Sequence, residues 1–324
     1  MKNQGPRAAS RHLPADAIFV IVTLLAAISW IFSKEAVAIM PPLLFMSARF
    51  FIAAVILAMV AKTELRVLSR AHFIRCVKVG VVFGIAMSLW VEGLAASNHV
   101  GEAAFIVSLG VILVPVIAAL LFKESVPRST WVALPVACVG LALLSLNQQL
   151  RLELSQLLLL SAAALFALYF NLNTRAANPM SRADKHGHAQ HVPQVPVLAL
   201  TTLVLTTVAA VTGLLSALLE TWHIGVLAGQ PMVWLWVTLS ATVGTALRFY
   251  LQTYAQSLSP YSNGVIIMVL EPVWTALIAA AWFTERLSAT QLLGCLLIFL
   301  ALMITRWRAL QSLLKSLFRK RKSP

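Results

Sequence analysis

Charge is scarce in this chain. Of 324 residues only 11% are Asp, Glu, Lys or Arg, while 60% are hydrophobic, and the mean hydropathy is +0.87. A soluble domain of ordinary composition carries about a quarter of its residues charged, so a water-facing globule is excluded and an integral membrane protein is implied. Cysteine is scarce as well. Cys76, Cys138 and Cys295 lie in or beside apolar runs, with neither metal-ligand spacing nor a disulfide framework. The sequence has no Gly-rich phosphate loop, no His-Glu-x-x-His and no nucleophile elbow. It therefore offers no sign of an enzyme, of ATP as a direct driver or of a resident cofactor. His186, His188 and His191 sit in a polar loop without a neighbouring acid or thiol, a poor metal set, so no metal site is expected.

The basic excess of +14 is not distributed as a nucleic-acid surface would be. Ten apolar runs of membrane-helix length occur, at 17–38, 42–61, 74–96, 100–122, 130–147, 154–174, 195–219, 232–256, 261–283 and 287–306. With the N-terminus inside, twenty of the 25 Lys and Arg fall in inside segments and three outside, and Arg49 and Arg248 lie within spans. That bias puts both termini in the cytoplasm. The reading is an all-α integral membrane protein of ten transmembrane helices, expected in a bacterial inner membrane, with the lipid bilayer and a small-molecule substrate as partners and no nucleic acid. Residues 1–16 form the cytoplasmic N-terminus. Residues 307–324, with Leu310, Leu313, Leu314, Leu317 and Phe318 on one face and a Lys/Arg cluster beyond, read as a basic amphipathic tail on the inner leaflet.

A shift of 161 residues lays 97–144 over 258–305, with identities including Ile106/Ile267, Leu109/Leu270, Ala118/Ala279, Phe122/Phe283 and Glu124/Glu285. This makes the fourth and fifth spans equivalent to the ninth and tenth. The chain then divides into five-helix repeats at 17–147 and 154–306. Because five is odd, the second repeat enters the membrane inverted, an architecture common among secondary transporters.

Ionisable groups within spans are expensive and mark function or pairing. Glu271 lies ten residues past Tyr261, about 15 Å deep, and Arg248 nine residues before Ser257, about 13 Å from the same side. Thr245, Arg248, Gln252 and Gln256 share one face of the eighth span, expected to line a water-accessible cavity with Glu271. Two roles stand open for Arg248 and Glu271: a structural ion pair, or contact with substrate and exchange of a proton. Nearer the outer face, Arg49 and Glu92 are candidates for direct substrate contact, but are expected first to pair with each other. Trp90 and Trp274 are candidates for aromatic walls, and Pro115 and Pro272 for helix kinks whose freed carbonyls line the cavity. Gly80-x-x-x-Gly84 offers a close helix approach.

Several stretches together resemble a known family. They are Trp30 with Lys34, Pro41-Pro42 before Arg49-Phe50, GEAAFIVSLGVILVPVIAALLFKE, Gln252-Thr-Tyr-Ala-Gln256 before Ser259-Pro260, and LEPVWTALIAAAWFTERL. The pattern over about residues 17–306 resembles the ten-helix EamA-like permeases of the drug/metabolite transporter superfamily. It departs in Lys123 and Ser125 around Glu124, where a Gly and an Arg are more usual, and in a long polar loop after the sixth span. The resemblance implies export or uptake of a small metabolite by alternating access. Arg248 suits a carboxylate and Glu271 an amine, which points to an amino acid or related zwitterion unless the two pair with each other. A channel, a lipid-handling carrier and a membrane scaffold are the rival classes. Substrate, direction, proton coupling and oligomeric state are not encoded in these motifs. The Glu271 readings predict that Glu271→Asp retains part of the transport and Glu271→Gln abolishes it; full transport by an inserted Glu271→Gln protein would refute both the proton role and a required pair.

Overall fold

The structure, a computed structural model, describes residues 9–123, 128–145, 153–183, 189–192, 194–222, 229–258, 268, 270–284 and 288–305. The first half comprises α1 (Ala9–Val37), α2 (Pro42–Val60), the short α3 (Lys62–Arg66), α4 (Arg70–Ala96), α5 (Val100–Phe122) and α6 (Arg128–Ser145). The second comprises α7 (Leu154–Ala177), α8 (Val197–Leu219), α9 (Pro231–Leu258), α10 (Leu270–Trp282) and α11 (Ala289–Thr305). Each predicted apolar run overlaps one of these helices. Among the described residues seven, α1, α2, α4, α5, α7, α8 and α9, are long and apolar enough to cross a membrane, while α10 and α11 contain shorter apolar stretches. The polar stretch after α7 departs from an all-helical chain: Met180–Ala183 and Ala189–Val192 pair as antiparallel strands β1 and β2. The C-terminal tail, Trp307 and most of the His-rich loop lie outside the described residues.

The surface explains why these helices persist without a polar exterior. On α2 the outward positions Phe51, Val55 and Met59 recur every fourth residue and are exposed, as are Leu214 and Leu218 on α8. Such faces are stable against hydrocarbon and not against water. The inward faces are small and polar by comparison. Gly80 and Gly84 bring α4 against Thr207 and Val211 of α8. At Gly110 a methyl group would sit 2.8 Å from the Ala163 carbonyl oxygen, so α5 and α7 touch backbone to backbone.

Helix pairings come in matched sets. α4 packs on α7 and on α8; α1 packs on α9, and α2 on α9, in the same relation. Contacts of α5 with α7 correspond to those of α1 with α10, and α2–α8, α5–α10 and α6–α11 pair across the two halves. Exchanging the two sets of five long helices therefore leaves this pattern unchanged.

The central α2–α8 pair is antiparallel and clamped at both ends. Glu220, just past the end of α8, accepts from the Leu43 and Leu44 N–H groups at the start of α2, at 2.7 and 2.9 Å. Glu64, past the end of α2, accepts from the Ala199 N–H at the start of α8, at 3.1 Å. Each carboxylate satisfies amides that a helix start leaves without partners and sits at the positive end of the dipole. Replacing Gly110 with Ala should force α5 from α7 and cost about 1–3 kcal/mol, read as a lower melting temperature in detergent; an unchanged melting point would show that this backbone contact is not required.

Candidate functional site

Between the two halves lies a chamber with an open volume of about 130 Å³. Its walls come from α1, α2, α4, α5, α7, α9 and the start of α10. The apolar part is aromatic: Phe83 stacks on Tyr169 at 3.9 Å between ring centres, Phe249 meets Phe83 edge-on at 5.1 Å, and Trp30 meets Trp90 edge-on at 4.9 Å.

The charged part has two centres. In the first, Arg248 Nη2 of α9 lies 3.5 Å from Glu271 Oε2 of α10, both side chains being mostly buried, at 14% and 16% exposure. Trp30 Nε1 donates to the other carboxylate oxygen, Glu271 Oε1, at 3.0 Å. The Arg248 guanidinium also lies over the Phe249 ring at 4.6 Å, and its buried Nε has no hydrogen-bond acceptor among the described residues. Matching depth on neighbouring helices thus does bring the two charges together.

The second centre is Arg49, 1% exposed on α2. Its Nε donates to Thr245 Oγ1 at 2.5 Å, its Nη1 to Ser33 Oγ at 2.8 Å, and its Nη2 to Ser29 Oγ at 2.8 Å and to the Gly244 carbonyl at 3.2 Å. All four acceptors are neutral. Phe45 and Phe50 hold the guanidinium at 5.8 and 5.5 Å from their ring centres, adding cation–π attraction. Local backbone structure makes this cradle. Ser29 and Ser33 are one turn apart on α1, and the Ser33 hydroxyl donates to the Ser29 carbonyl, leaving its lone pairs toward Arg49. In α9 the segment Thr242–Leu247 widens into a π-helical turn. There Thr245 Oγ1 donates to the Ser240 carbonyl, five residues back, at 2.8 Å and so accepts from Arg49. Gly244 lies against Ser29 so closely that no side chain fits between them.

Several sequence expectations change here. Arg49 does not pair with Glu92: Arg49 turns toward α1 and α9, whereas Glu92 lines a separate cavity at the start of α2 and the end of α8 with Glu220. Thr245 serves Arg49 instead of facing the chamber as a lining residue, and Gln256 bonds sideways, its Oε1 accepting from Asn173 Nδ2 at 2.5 Å. Of that face, Arg248 and Gln252 line the chamber. Trp90 does form a wall, but its partner is Trp30; Trp274 is not a lining residue. Pro115 is inside α5, where Asn171 Nδ2 of α7 donates to the adjacent Val114 carbonyl at 3.0 Å. Pro272 falls in the first turn of α10 as described; residues 259–267 and 269, at the start of that predicted run, lie outside the description.

Past the chamber, each end is closed by polar contacts. Lys34 at the end of α1 donates to the carbonyls of Leu94 and Ser97 at the end of α4, at 2.9 and 2.5 Å. Asn173 at the end of α7, and Asn178 just past it, reach Gln256 near the end of α9, Asn178 Nδ2 donating to the Gln256 carbonyl at 3.1 Å. α4 and α7 run antiparallel, since Gly93 lies against Ser155 and Leu159 while Arg75 donates to the Arg175 carbonyl. The two closures therefore occupy opposite ends.

The profile of the EamA-like transporter family matches residues 13–146 and again 154–307. The chain belongs to the EamA-like transporter family. An uncharacterized transporter of Archaeoglobus fulgidus is 25% identical over 311 residues, 95% of this chain and 91% of the relative. A solved crystal structure superposes with a TM-score of 0.63 at 18% identity, covering 96% of this chain and all of the other, which shows a shared fold. An EamA-like protein with these apolar helices is an integral membrane transporter rather than an enzyme. The double match falls on the two halves whose packing is exchangeable, and its boundary, between 146 and 154, is the boundary between α6 and α7. In this family member the cradle of Arg49 spans both halves, because Ser29 and Ser33 belong to the first and Gly244 and Thr245 to the second. Arg49→Lys should fail to replace it, since an ammonium lacks the planar fork that serves four acceptors on two helices; thermal melting in detergent should drop close to the level of Arg49→Ala, and a Lys variant as stable as the parent would refute the cradle.

Proposed function

We propose that this protein is a secondary transporter that carries a small organic metabolite across the membrane by alternating access, with the interfacial chamber as its binding site and export as its direction. The observation that carries the reading is the position of the Arg248–Glu271 pair. It sits in a space between two exchangeable halves, with one polar closure toward each end. Ten membrane helices in two inverted five-helix repeats, with both termini in the cytoplasm, account for the exchangeable packing and for the distribution of Lys and Arg.

In this reading the Lys34 contacts close the outer end and the Asn173, Asn178 and Gln256 contacts the inner end. Each would open in turn while the other holds. A pore would instead need a continuous polar path, and the chamber walls between the charges are aromatic and aliphatic. The zwitterion expectation held only if the two charges did not pair, and Arg248 and Glu271 lie 3.5 Å apart. Metabolite profiling of cells that overexpress or lack the protein selects a solute; counterflow of that labelled solute in proteoliposomes then tests the mechanism. Trans-stimulation by unlabelled solute is expected, and flux that never responds to solute on the far side would replace the carrier with a channel.

A further inference from the structure

The charge balance of the chamber is uneven. Arg49 and Arg248 line it, and Glu271 is the one acidic residue among its lining groups, so two guanidiniums face one carboxylate and a single positive charge is left over. The stretch 259–267 together with Val269, which lies beside the chamber in sequence, contains no charged residue that could restore neutrality. Lys34 and Glu92 are committed elsewhere, the first to carbonyls at the end of α4 and the second to the separate outer cavity.

We propose that the chamber recognises small organic monoanions, a carboxylate on an apolar or aromatic body, and that Arg248 takes the anionic group. This deepens the carrier reading and rests on it. Three observations carry it together. An unbalanced cation in a low-dielectric space attracts an anion and repels a cation far more strongly than the same charge in water. Arg248 still has donor capacity: its Nε is buried with no hydrogen-bond acceptor among the described residues, and Glu271 is met at 3.5 Å, an ion pair longer than a short hydrogen bond. Gln252, 3% exposed and one turn along α9, also lines the chamber with an Oε1 that has no donor among the described residues, a place for a hydroxyl or a protonated donor of the solute.

The rest of the space fixes the body of the solute. The walls around Phe83, Trp90, Phe166 and Tyr169 present rings and offer few polar atoms. The open volume of about 130 Å³ restricts the solute to a small body. Arg49 contributes its charge but is held by the hydroxyls of both halves, so it sets the potential while Arg248 makes the contact.

Calorimetry on the purified full chain in nanodiscs at low ionic strength tests this with four probes of one shape: benzoate, benzyl alcohol, benzylamine and phenylalanine. Benzoate should bind at least about tenfold more tightly than the others, the factor expected for one charge-assisted contact. Arg248→Gln should remove that margin. Glu271→Gln, which leaves two uncompensated guanidiniums, should shift the terephthalate-to-benzoate affinity ratio toward the dianion by about tenfold. Benzylamine or phenylalanine binding as well as benzoate, an unaltered dianion ratio in Glu271→Gln, or no binding by any of the four would each overturn the proposal. The carrier reading fails separately: benzoate bound with these ratios but never exchanged by counterflow would sink the carrier and leave the charge selectivity, whereas counterflow of a cationic or zwitterionic solute would do the reverse.

Discussion

A guanidinium buried in an apolar bundle must find acceptors in the protein itself, because lipid supplies none and water is scarce. Among the described residues Arg49 meets this demand without a counter-ion, through two serines, a threonine and a backbone carbonyl. Much of the surrounding architecture follows from it. α1 must present two hydroxyls one turn apart, α9 must turn a carbonyl and a hydroxyl toward α2, and a π-helical turn does so by breaking the regular ladder at Thr242–Leu247. Gly244 must lack a side chain for Ser29 to approach. One residue of α2 thereby ties α1 to α9, the pair of helices that carry Trp30 and Arg248 to the chamber.

The positive charge that results is not cancelled nearby, and this distinguishes Arg49 from Arg248. Arg248 has Glu271, and the pair is held laterally by the Trp30 indole. An ion pair in a low-dielectric space recovers through attraction only part of what desolvation costs, so it is held by geometry more than it stabilises the fold. Apolar residues of similar volume often replace a buried pair without loss, and the binding role proposed for Arg248 gives the charges a use there.

How much of this was legible in the sequence follows from what one-dimensional patterns encode. Run length and hydropathy locate helices, and residue count along a helix locates depth, so the ten helix positions and the meeting of Arg248 with Glu271 are both readable. Depth carries no azimuth. Arg49 and Glu92 occupy compatible depths yet face different neighbours, and the expected pair does not form. Trp274 was readable as an aromatic in the right span, but the position of α10 gives the wall to Trp30. The Ser29/Ser33 spacing was visible and could have signalled a polar stripe on α1; nothing in composition announces a π-helical turn or the strand pair at 180–183 and 189–192. The shift of 161 residues found the duplication, and the packing of α5 on α10 and α6 on α11 gives it physical content.

The same exchange symmetry separates what is fixed from what is held lightly. At the α2–α8 pair, whole carboxylates cap helix starts at both ends, with Glu220 further secured by the Ser216 hydroxyl at 2.5 Å and Ser216 by the Trp222 indole at 3.0 Å. These are charge-assisted contacts to backbone amides, and breaking one would expose both a charge and an unpaired helix terminus. At the ends of the chamber the contacts are of another kind. Lys34 reaches carbonyls that terminate α4, and Asn178 reaches one near the end of α9, where helix carbonyls lack intrahelical partners and water can substitute on opening. Separation there leaves no group without an alternative. The alternating access proposed above requires this combination: a doubly clamped spine with replaceable polar contacts at opposite ends of the chamber.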